Sequence, residues 1–457
     1  MWCFGLPIDL HVVWWQHGAS RVSSSKVADF HPDRLHPLER SRRRDAVARF
    51  GSAGGVWQSR FEGSATAAGI VHYPLSGDAM PNFSPLLYTT TGDTCFLDEL
   101  DLSPEQLGEI DGARKEIRVA LKANLSNVLR DKGLEGDICQ PRFYIQGSRA
   151  YKTLNSPCIT PPQQSDIDDG VYLPLSVMRE KSSPKLAIEL FFEAVTEVLK
   201  PICDSKGWRT ESKITCVRVT ISEYAHIDLP LYVIPDTRFM LLKAGLEGIE
   251  GRAFDSAMNA EQQTWKTLPS DQILLADREQ GWRKSDPMAM KDWFKSEVEG
   301  KDQLVRVVRY LKAFRDKQWE EKGPSSILLM AIACPLYERF EKRDDRALLH
   351  IVKGIPAALQ AGVASPIDPE SSLTEHMSKE SIAEAVERFE TFARYLEGAI
   401  EATDSQVACN WLLEMLGHRL PNDPDRMKPN TEALPSFIAA IPPLAGPSEP
   451  VKRTKAG

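Results

Sequence analysis

The chain has 457 residues, of which 42% are hydrophobic, so it is long enough to build cores for two or three domains or lobes. Its formal net charge of -8 at pH 7 argues against a non-specific polyanion binder, and we expect nucleotides rather than stably bound nucleic acid as partners. Eight scattered cysteines lack CxxC and zinc-ligand spacing, and no apolar run near the start could span a membrane, so we expect a cytoplasmic protein without zinc or membrane anchor.

The first 79 residues differ from the rest of the chain. They hold nine Lys or Arg against seven Asp or Glu, four of the ten Trp and five of the nine His, and they show no sustained helical or strand period. One interpretation is a disordered basic arm that contacts nucleic acid. The interpretation that we favour is upstream sequence translated ahead of a true start at Met80, so we expect no defined structure in residues 1–79.

A long helix is predicted to begin after Ser103. The stretch Ser103–Gln106 combines an N-cap residue, a proline suited to the first helical turn and a glutamine that can complete a capping box. Apolar residues then recur at helical spacing as far as about Leu129. This helix leads towards a Gly-Ser turn at 146–148.

The turn of Gln146, Gly147 and Ser148 is followed, eighteen residues after the serine, by Asp166 and Asp168. Backbone N–H groups and the serine hydroxyl of such a turn can hold a triphosphate. The two carboxylates are one residue apart on a predicted strand, so they lie on the same side of it, where they can bind Mg²⁺. An isolated Asp-x-Asp is weak evidence, because acidic residues before glycine usually form solvated turns.

A third carboxylate, Asp228, lies between apolar residues in a strand predicted over 226–235. A carboxylate in a core strand is costly unless it is paired or bound to metal. Asp228 therefore completes a metal site with Asp166 and Asp168, or forms a structural ion pair with Arg218 of the strand predicted over 216–221. Two divalent ions held by three carboxylates can activate a hydroxyl and neutralise a pyrophosphate leaving group.

The remaining pattern predicts an α+β fold, with a mixed-sheet core followed by a helical C-terminal lobe. In the sheet half a helix is predicted over 185–200. From about Ser285 the pattern is helical, and the helix of 302–319 carries Arg306, Arg309 and Lys312 away from its apolar face. Further helices are predicted over 325–339, 347–359, 378–402 and 404–416. We expect a core over 80–284 with its leading helix, a helical lobe over 285–442 and a flexible tail over 443–457.

Several motifs together resemble the cGAS/DncV-like nucleotidyltransferases. Besides the Gly-Ser turn, they are Tyr151-Lys152-Thr153-Leu154-Asn155, Asp166-Ile167-Asp168-Asp169-Gly170, His226-Ile227-Asp228-Leu229-Pro230 and Gly323-Pro324-Ser325-Ser326. The resemblance covers about residues 80 to 440, and its opening at Met80-Pro81-Asn82-Phe83 supports the alternative start. It implies a polymerase-beta-like nucleotidyltransferase core.

The resemblance also implies roles for single residues. Ser148 would hold the donor triphosphate, with Gln146 and Gly147 shaping the turn. Asp166 and Asp168 would bind both Mg²⁺ ions, and Asp228 would bind the catalytic ion and draw the proton from the attacking 3'-hydroxyl. The other nucleotide-binding residues would be Arg218 on the acceptor side, Ser285, Lys312 and Ser326. Without the resemblance, Lys312 would be read as an exposed lysine and Ser326 as a helix N-cap.

The activity implied is the joining of ATP and GTP, or of two purine nucleotides, into a 3',3'-cyclic dinucleotide such as cyclic GMP-AMP. The product would activate an effector protein, such as a phospholipase, in anti-phage (CBASS) defence. Gly457 could be conjugated to other proteins by an E1/E2-like system, although a free end is the reading we favour. Which bases are joined stays open, because the sequence does not determine whether Asp368 or Glu370 corresponds to the acid that reads a guanine edge in the related synthase.

Two other functions are compatible with these residues. A template-independent polymerase of the same superfamily would make linear oligonucleotides, but the acidic chain shows no segment suited to RNA binding. A non-catalytic nucleotide sensor could use the same fold, but all three carboxylates and the Gly-Ser turn are present.

Overall fold

The computed structural model describes residues 81–134, 140–179, 183–247, 265, 273–321 and 323–427. The predictions for residues 1–79, for the tail over 443–457 and for Gly457 lie outside these residues. In the part described, no helix is both long enough and apolar enough to cross a membrane.

Three helices precede the first strand: α1 (Ser84–Leu87), α2 (Phe96–Glu99) and α3 (Pro104–Asp131). The capping box predicted for α3 is present, because the Ser103 hydroxyl accepts from the backbone N–H of Gln106 at 3.2 Å and the Gln106 side chain accepts from the N–H of Ser103 at 2.9 Å. The predicted start of this helix is confirmed.

Seven strands of the described chain form one mixed sheet. They are β1 (Arg142–Ile145), β2 (Ser165–Pro174), β3 (Arg209–Ser212), β4 (Cys216–Thr220), β5 (Ala225–Ile234), β6 (Leu274–Asp277) and β7 (Gly281–Lys284). The order is β1-β2-β5-β4-β3, with β6 also paired to β5 and β7 paired to β6. Only the pairing of β2 with β5 is parallel among these strands. The predicted α+β class with a mixed sheet is confirmed.

Four helices accompany the sheet: α4 (Gly147–Ala150), α5 (Ser176–Arg179), α6 (Pro184–Lys206) and α7 (Asp236–Glu247). The apolar faces of α3 and α6 join one buried core with the inner residues of β2, β4 and β5. β1, β3, α4 and the β6–β7 hairpin escaped prediction, because four-residue elements carry too little periodic signal.

The second half is helical, as predicted. Its helices are α8 (Pro287–Val298), α9 (Asp302–Gln318), α10 (Ser326–Leu336), α11 (Asp344–Ala361), α12 (Lys379–Glu401) and α13 (Ser405–Leu416), followed by a 3₁₀ turn at Pro424–Met427. Phe314 of α9 stacks on Phe392 of α12 with ring centroids 4.0 Å apart. The early helices α1 and α2 also pack into this core, through Leu87 and Phe96 among others.

An ion pair inside the sheet half joins α3 to β2. Asp169 is completely buried, and Arg118 holds it in two hydrogen bonds of 2.7 and 2.5 Å, with a nitrogen of Arg114 at 3.5 Å. Burial alone would raise the pKa of Asp169, but the positive charges of Arg118 and Arg114 outweigh it and lower that pKa. The carboxylate therefore fixes the leading helix against the strand that carries Asp166 and Asp168.

We expect Asp169→Asn to destabilise the protein by about 3–5 kcal/mol at pH 7, because it leaves buried arginine charge uncompensated. Since the folded pKa of Asp169 lies below that of the unfolded chain, the ion pair stabilises above the unfolded pKa. Its contribution is lost as pH falls through the lower folded value. Urea denaturation of both proteins should therefore give stabilities that begin to converge only below about pH 4.

Asp204→Asn is the control, since Asp204 forms an exposed ion pair with Lys200 on α6. This change should alter stability by no more than about 0.5 kcal/mol. Equal stability of Asp169→Asn and the unmodified protein at pH 7 would contradict the anchoring role.

Candidate active site

The parallel pairing of β2 with β5 brings the predicted carboxylates together. Asp166 lies opposite His226, and Asp168 lies opposite Asp228. Because side chains alternate along a strand, these four residues share one face of the sheet, and Asp169 points to the other face. The site is therefore built on the two central strands rather than on loops.

A group of possible metal ligands lies at this pairing. One ligand atom each from Asp166, His226 and Asp228 lie within 4.8 Å of one another. The imidazole Nε2 of His226 is 3.1 Å from Oδ1 of Asp166 and 3.9 Å from Oδ1 of Asp228. Arg218 also holds both oxygens of Asp228 at 2.7 Å, so the ion pair considered from sequence is present beside the potential metal ligands.

The carboxylates do not titrate alike. The pKa of Asp168 is raised well above its ordinary value, first by burial and then by the negative charges of Asp166 and Asp228. The surrounding protein would also raise the pKa of Asp166, but the hydrogen bond and charge of His226, together with Arg218, lower it. Clustered carboxylates that repel one another, with oxygens of Asp166 and Asp228 within 4.8 Å, fit a divalent cation.

The Gly-Ser turn lies against these carboxylates. The backbone N–H of Gln146 donates to the carbonyl oxygen of Asp168 at 3.0 Å, and the short helix α4 begins at the next residue. Gly147 has a φ of +65°, and a Cβ at this position would overlap Oδ2 of Asp168. Glycine is therefore required both by the left-handed backbone and by the close approach of the carboxylate.

Lys312 of α9 reaches this turn from the helical half. Its Nζ donates to the Ser148 hydroxyl at 2.9 Å and to the carbonyl oxygen of Thr153, and the residue is only 3% exposed. The interpretation of Lys312 as an exposed lysine is therefore wrong. Burial first, and then the charges of Arg315 and Arg309, lower the pKa of Lys312 to about 7.

A cavity of about 400 Å³ opens beside these residues. Its lining includes Ser148, Asp166, His226, Lys312 and Ser326. The hydroxyl of Ser326 accepts from Arg315 at 3.0 Å, whereas the N-cap of α10 is Ser325, whose hydroxyl accepts from Leu328 at 3.2 Å. Ser326 is therefore free of the capping role that its sequence suggested.

A larger cavity, of about 540 Å³, lies between residues 82–90 and the start of α9. Its lining includes Tyr88, Arg306 and Phe340 but none of the predicted site residues. We assign the active site to the smaller cavity, because only there do carboxylates, a buried lysine and the Gly-Ser turn meet.

Several other predicted residues do not line the 400 Å³ cavity. The Gln146 side chain points into an aromatic cluster and donates to the hydroxyl of Tyr232 at 3.0 Å, and the Ser285 hydroxyl bonds to the same tyrosine. Asp168 and Asp228 lie at the pairing of β2 with β5, Arg218 lies beside Asp228 on β4, and Gly147 begins α4. None of the four belongs to the lining of this cavity. Asp368 and Glu370 are exposed and also stand outside this lining.

Sequence reasoning gave no role to three residues that the structure brings to the site. His226 contacts Asp166, Gln164 contacts His226, and Arg315 contacts Ser326. The strand period could have identified His226, since it lies two residues before Asp228 on the same face. Gln164 and Arg315 carry no such signal, because their contacts depend on how loop and helix pack.

The mixed sheet, with three carboxylates on two adjacent strands beside a Gly-Ser turn, defines the protein as a nucleotidyltransferase. Two family models match it: Cyclic GMP-AMP synthase DncV-like, nucleotidyltransferase domain, over residues 141–232, and Cyclic GMP-AMP synthase, C-terminal domain, over residues 301–428.

Similar proteins agree with these matches. A cyclic GMP-AMP synthase of Vibrio cholerae is 32% identical over 335 residues, covering 69% of this chain and 75% of the relative. One from Escherichia coli (strain TW11681) is 33% identical over 302 residues, covering 62% and 68%. The crystal structure of Vibrio cholerae DncV with a linear intermediate has a TM-score of 0.62 and 26% identity, covering 76% of this chain and 98% of that one. The chain belongs to the DncV-like cyclic GMP-AMP synthase family of nucleotidyltransferases, which confirms the resemblance found in its sequence.

We expect Gly147→Ala to lower nucleotidyl transfer by about 100-fold or more, because the added Cβ displaces the Asp168 carboxylate by a substantial fraction of an ångström. Gly207→Ala is the matched control: Gly207 has a φ of +71° at the end of α6, with nothing within 4 Å of a Cβ added there. The control should lose about 1 kcal/mol of stability and keep its activity. Equal activity of the two variants in an initial-rate assay would refute the steric argument.

Lys312→Met should raise the melting temperature at pH 6 by about 2 °C or more while it weakens nucleotide triphosphate binding. The pKa of Lys312 in the folded chain, about 7, lies below its ordinary value of 10.5. Burial of the charged amine therefore costs stability, most strongly below pH 7, and this cost falls as pH rises towards 10. Differential scanning fluorimetry from pH 6 to 9 should show the advantage of the variant shrinking; a variant that melts lower at pH 6 would contradict this.

Proposed function

We propose that this protein joins ATP and GTP into a 3',3'-cyclic dinucleotide such as cyclic GMP-AMP, in two successive 3'-5' nucleotidyl transfers. The observation that carries the proposal is the meeting of Asp166, Asp168 and Asp228 across one parallel strand pair, beside a cavity that also holds Ser148 and Lys312. Such a cavity suits a triphosphate. At one end Lys312 and the Ser148 hydroxyl can donate to its oxygens, and at the other end the carboxylates can hold the cations that neutralise it.

Relatives support the choice of substrates. A Vibrio cholerae di-nucleotide cyclase variant has been solved in complex with ATP and GTP, and the enzyme itself with the linear intermediate 5' pppA(3',5')pG. A linear intermediate is what the first of two transfers produces. We propose the same sequence of steps here, with the same carboxylates acting in both.

On the donor side, we propose that Ser148, Lys312 and Ser326 hold the triphosphate, with Gln146 and Gly147 shaping the turn. Nζ of Lys312 and the Ser148 hydroxyl lie 2.9 Å apart, so one phosphate oxygen beside both could accept a hydrogen bond from each. Charge-assisted hydrogen bonds of this kind are among the strongest available to a phosphate.

On the acceptor side, we propose that Asp228 draws the proton from the attacking 3'-hydroxyl and that Arg218 contacts the acceptor nucleotide. Ser285 is a further proposed nucleotide contact. Arg218 lies on β4 directly beside Asp228, and 28% of its side chain is exposed towards solvent. It can therefore hold Asp228 and still present part of its guanidinium to a ligand.

We propose that Asp166, Asp168 and Asp228 bind two Mg²⁺ ions. When bound, these ions supply Lewis-acid activation of the hydroxyl and neutralise the charge of the pyrophosphate. The protein's own contribution is geometric: strands β2 and β5 hold the three carboxylates at fixed separations before any ligand arrives.

The wider setting follows from the product. We propose that the cyclic dinucleotide activates an effector, such as a phospholipase, in CBASS anti-phage defence, and that the enzyme acts in the cytoplasm, where ATP and GTP are available.

We also propose that 80–284 and 285–442 act as two lobes, with the 400 Å³ cavity between Ser148 on one and Lys312 on the other. Conjugation through Gly457 is a further proposal, and intact-mass measurement in cells would test it.

We expect the purified chain to convert ATP and GTP with Mg²⁺ into a cyclic dinucleotide that resists phosphatase, identified by mass spectrometry. Asp166→Asn or Asp228→Asn should lower the rate by at least about 100-fold, because each removes several kcal/mol of transition-state stabilisation. Asp204→Asn is the surface control and should leave the rate unchanged.

Other products would separate the alternatives. Linear oligonucleotides that phosphatase shortens would indicate a linear synthase, and the absence of any product from every purine nucleotide pair would refute the proposed function. A cyclic product with two identical bases would retain the reaction class and correct only the substrates.

A further inference from the structure

Gln164, His226 and Asp166 form a hydrogen-bonded chain at the edge of the site. Nδ1 of His226 lies 3.0 Å from Oε1 of Gln164, and Nε2 lies 3.1 Å from Oδ1 of Asp166. The His226 side chain is only 7% exposed, whereas that of Asp166 is 51% exposed. A buried imidazole therefore holds one oxygen of a carboxylate that faces the open cavity.

The backbone sets the orientation of Gln164. Its Nε2 donates to the carbonyl oxygen of Ser222 at 2.8 Å, so its Oε1 must be the atom that faces the imidazole. The next residue, Ser165, donates its backbone N–H to Tyr224 at 2.7 Å, which fixes the start of β2 against the same turn. The position of the imidazole ring is therefore tied to the 222–224 turn between β4 and β5.

The consequence for Asp166 is that its two oxygens differ. Because Oε1 of Gln164 can only accept, Nδ1–H of His226 donates to it, and Nε2 must also carry a proton in order to donate to Oδ1 of Asp166. This hydrogen bond restrains the carboxylate and leaves Oδ2 for a ligand in the cavity. Asp228 has a comparable restraint, since Arg218 holds both of its oxygens. Partners that orient metal-binding side chains in this way typically contribute roughly 10- to 100-fold in metal affinity.

We propose that Gln164 and His226 are positioning residues that orient Asp166 for a divalent cation. This inference rests on the proposed function only in that it takes Asp166 as a metal ligand. His226 acts through Asp166 and does not itself bind the ion, and Gln164 acts through His226. The pair thereby links the loop before β2 to the metal site.

The test is the affinity of the full chain for Mn²⁺ without nucleotide, measured by titration calorimetry. His226→Ala and Gln164→Ala should each weaken Mn²⁺ binding by roughly 10- to 100-fold. His226→Gln keeps a nitrogen donor near the position of Nε2 and should bind Mn²⁺ more tightly than His226→Ala. In the proposed reaction, both alanine variants should lower kcat more than they change KM for the nucleotides.

Gln163→Ala is the matched control. Gln163 is the adjacent glutamine, but its side chain bonds to Cys158, Asp316 and Trp319 and does not touch His226. Gln163→Ala disturbs the same loop but removes no contact of His226. If the orientation of Asp166 is what matters, this variant should keep its Mn²⁺ affinity. An equal loss in Gln163→Ala would overturn the proposal in favour of a general effect of the loop.

Two further results would also overturn it. Unchanged Mn²⁺ affinity in His226→Ala and Gln164→Ala would show that Asp166 needs no such support, and electron spin echo spectra with a coordinated ¹⁴N would show that His226 is itself a ligand. If circular dichroism melting shows that His226→Ala fails to fold, the Mn²⁺ affinities of His226→Gln and Gln164→Ala are compared with that of the unmodified protein instead. Because the binding assay contains no nucleotide, a missing cyclic product would refute the proposed function without altering this result.

Discussion

The pairing of β2 with β5 is the constraint on which the site depends. It is the parallel pair of the described sheet, and its register sets Asp166 beside His226 and Asp168 beside Asp228. A shift of one residue would turn every one of these side chains to the opposite face and bury the carboxylates in the apolar core. The buried residues of β5, which include Ile227, Leu229 and Leu231, hold the register because each has a place in that core.

The same strand serves stability and chemistry on opposite faces. Asp166 lines the cavity and Asp168 lies on the same face of the strand, while Asp169 faces α3 and is neutralised by Arg118. Three nearly consecutive carboxylates would repel one another on one surface, and alternation separates the third from the other two. The remaining repulsion is local to the site, where burial and then this repulsion raise the pKa of Asp168, and it favours a bound cation.

The elements with long periodic patterns could be predicted from sequence. The helix at 104–131, the strands at 165–174 and 225–234 and most helices after 302 were predicted to within a few residues, because their apolar residues recur over several turns or alternations. Short elements were missed, including the β6–β7 hairpin just before the stretch expected to be helical from Ser285. Lys312 also lay beyond local reasoning, since only packing against the Gly-Ser turn buries it.

The sequence alone determined the class of chemistry, because a Gly-Ser turn and an Asp-x-Asp pair owe their properties to local backbone geometry. It also determined which face of each strand the carboxylates share, since that depends only on the period of a strand. The tertiary structure decided which groups meet: that His226 supports Asp166, that Arg218 pairs with Asp228, and that a lysine 164 residues from Ser148 reaches its hydroxyl. Such contacts depend on the packing of elements far apart in the chain, and no local pattern encodes the distance between them.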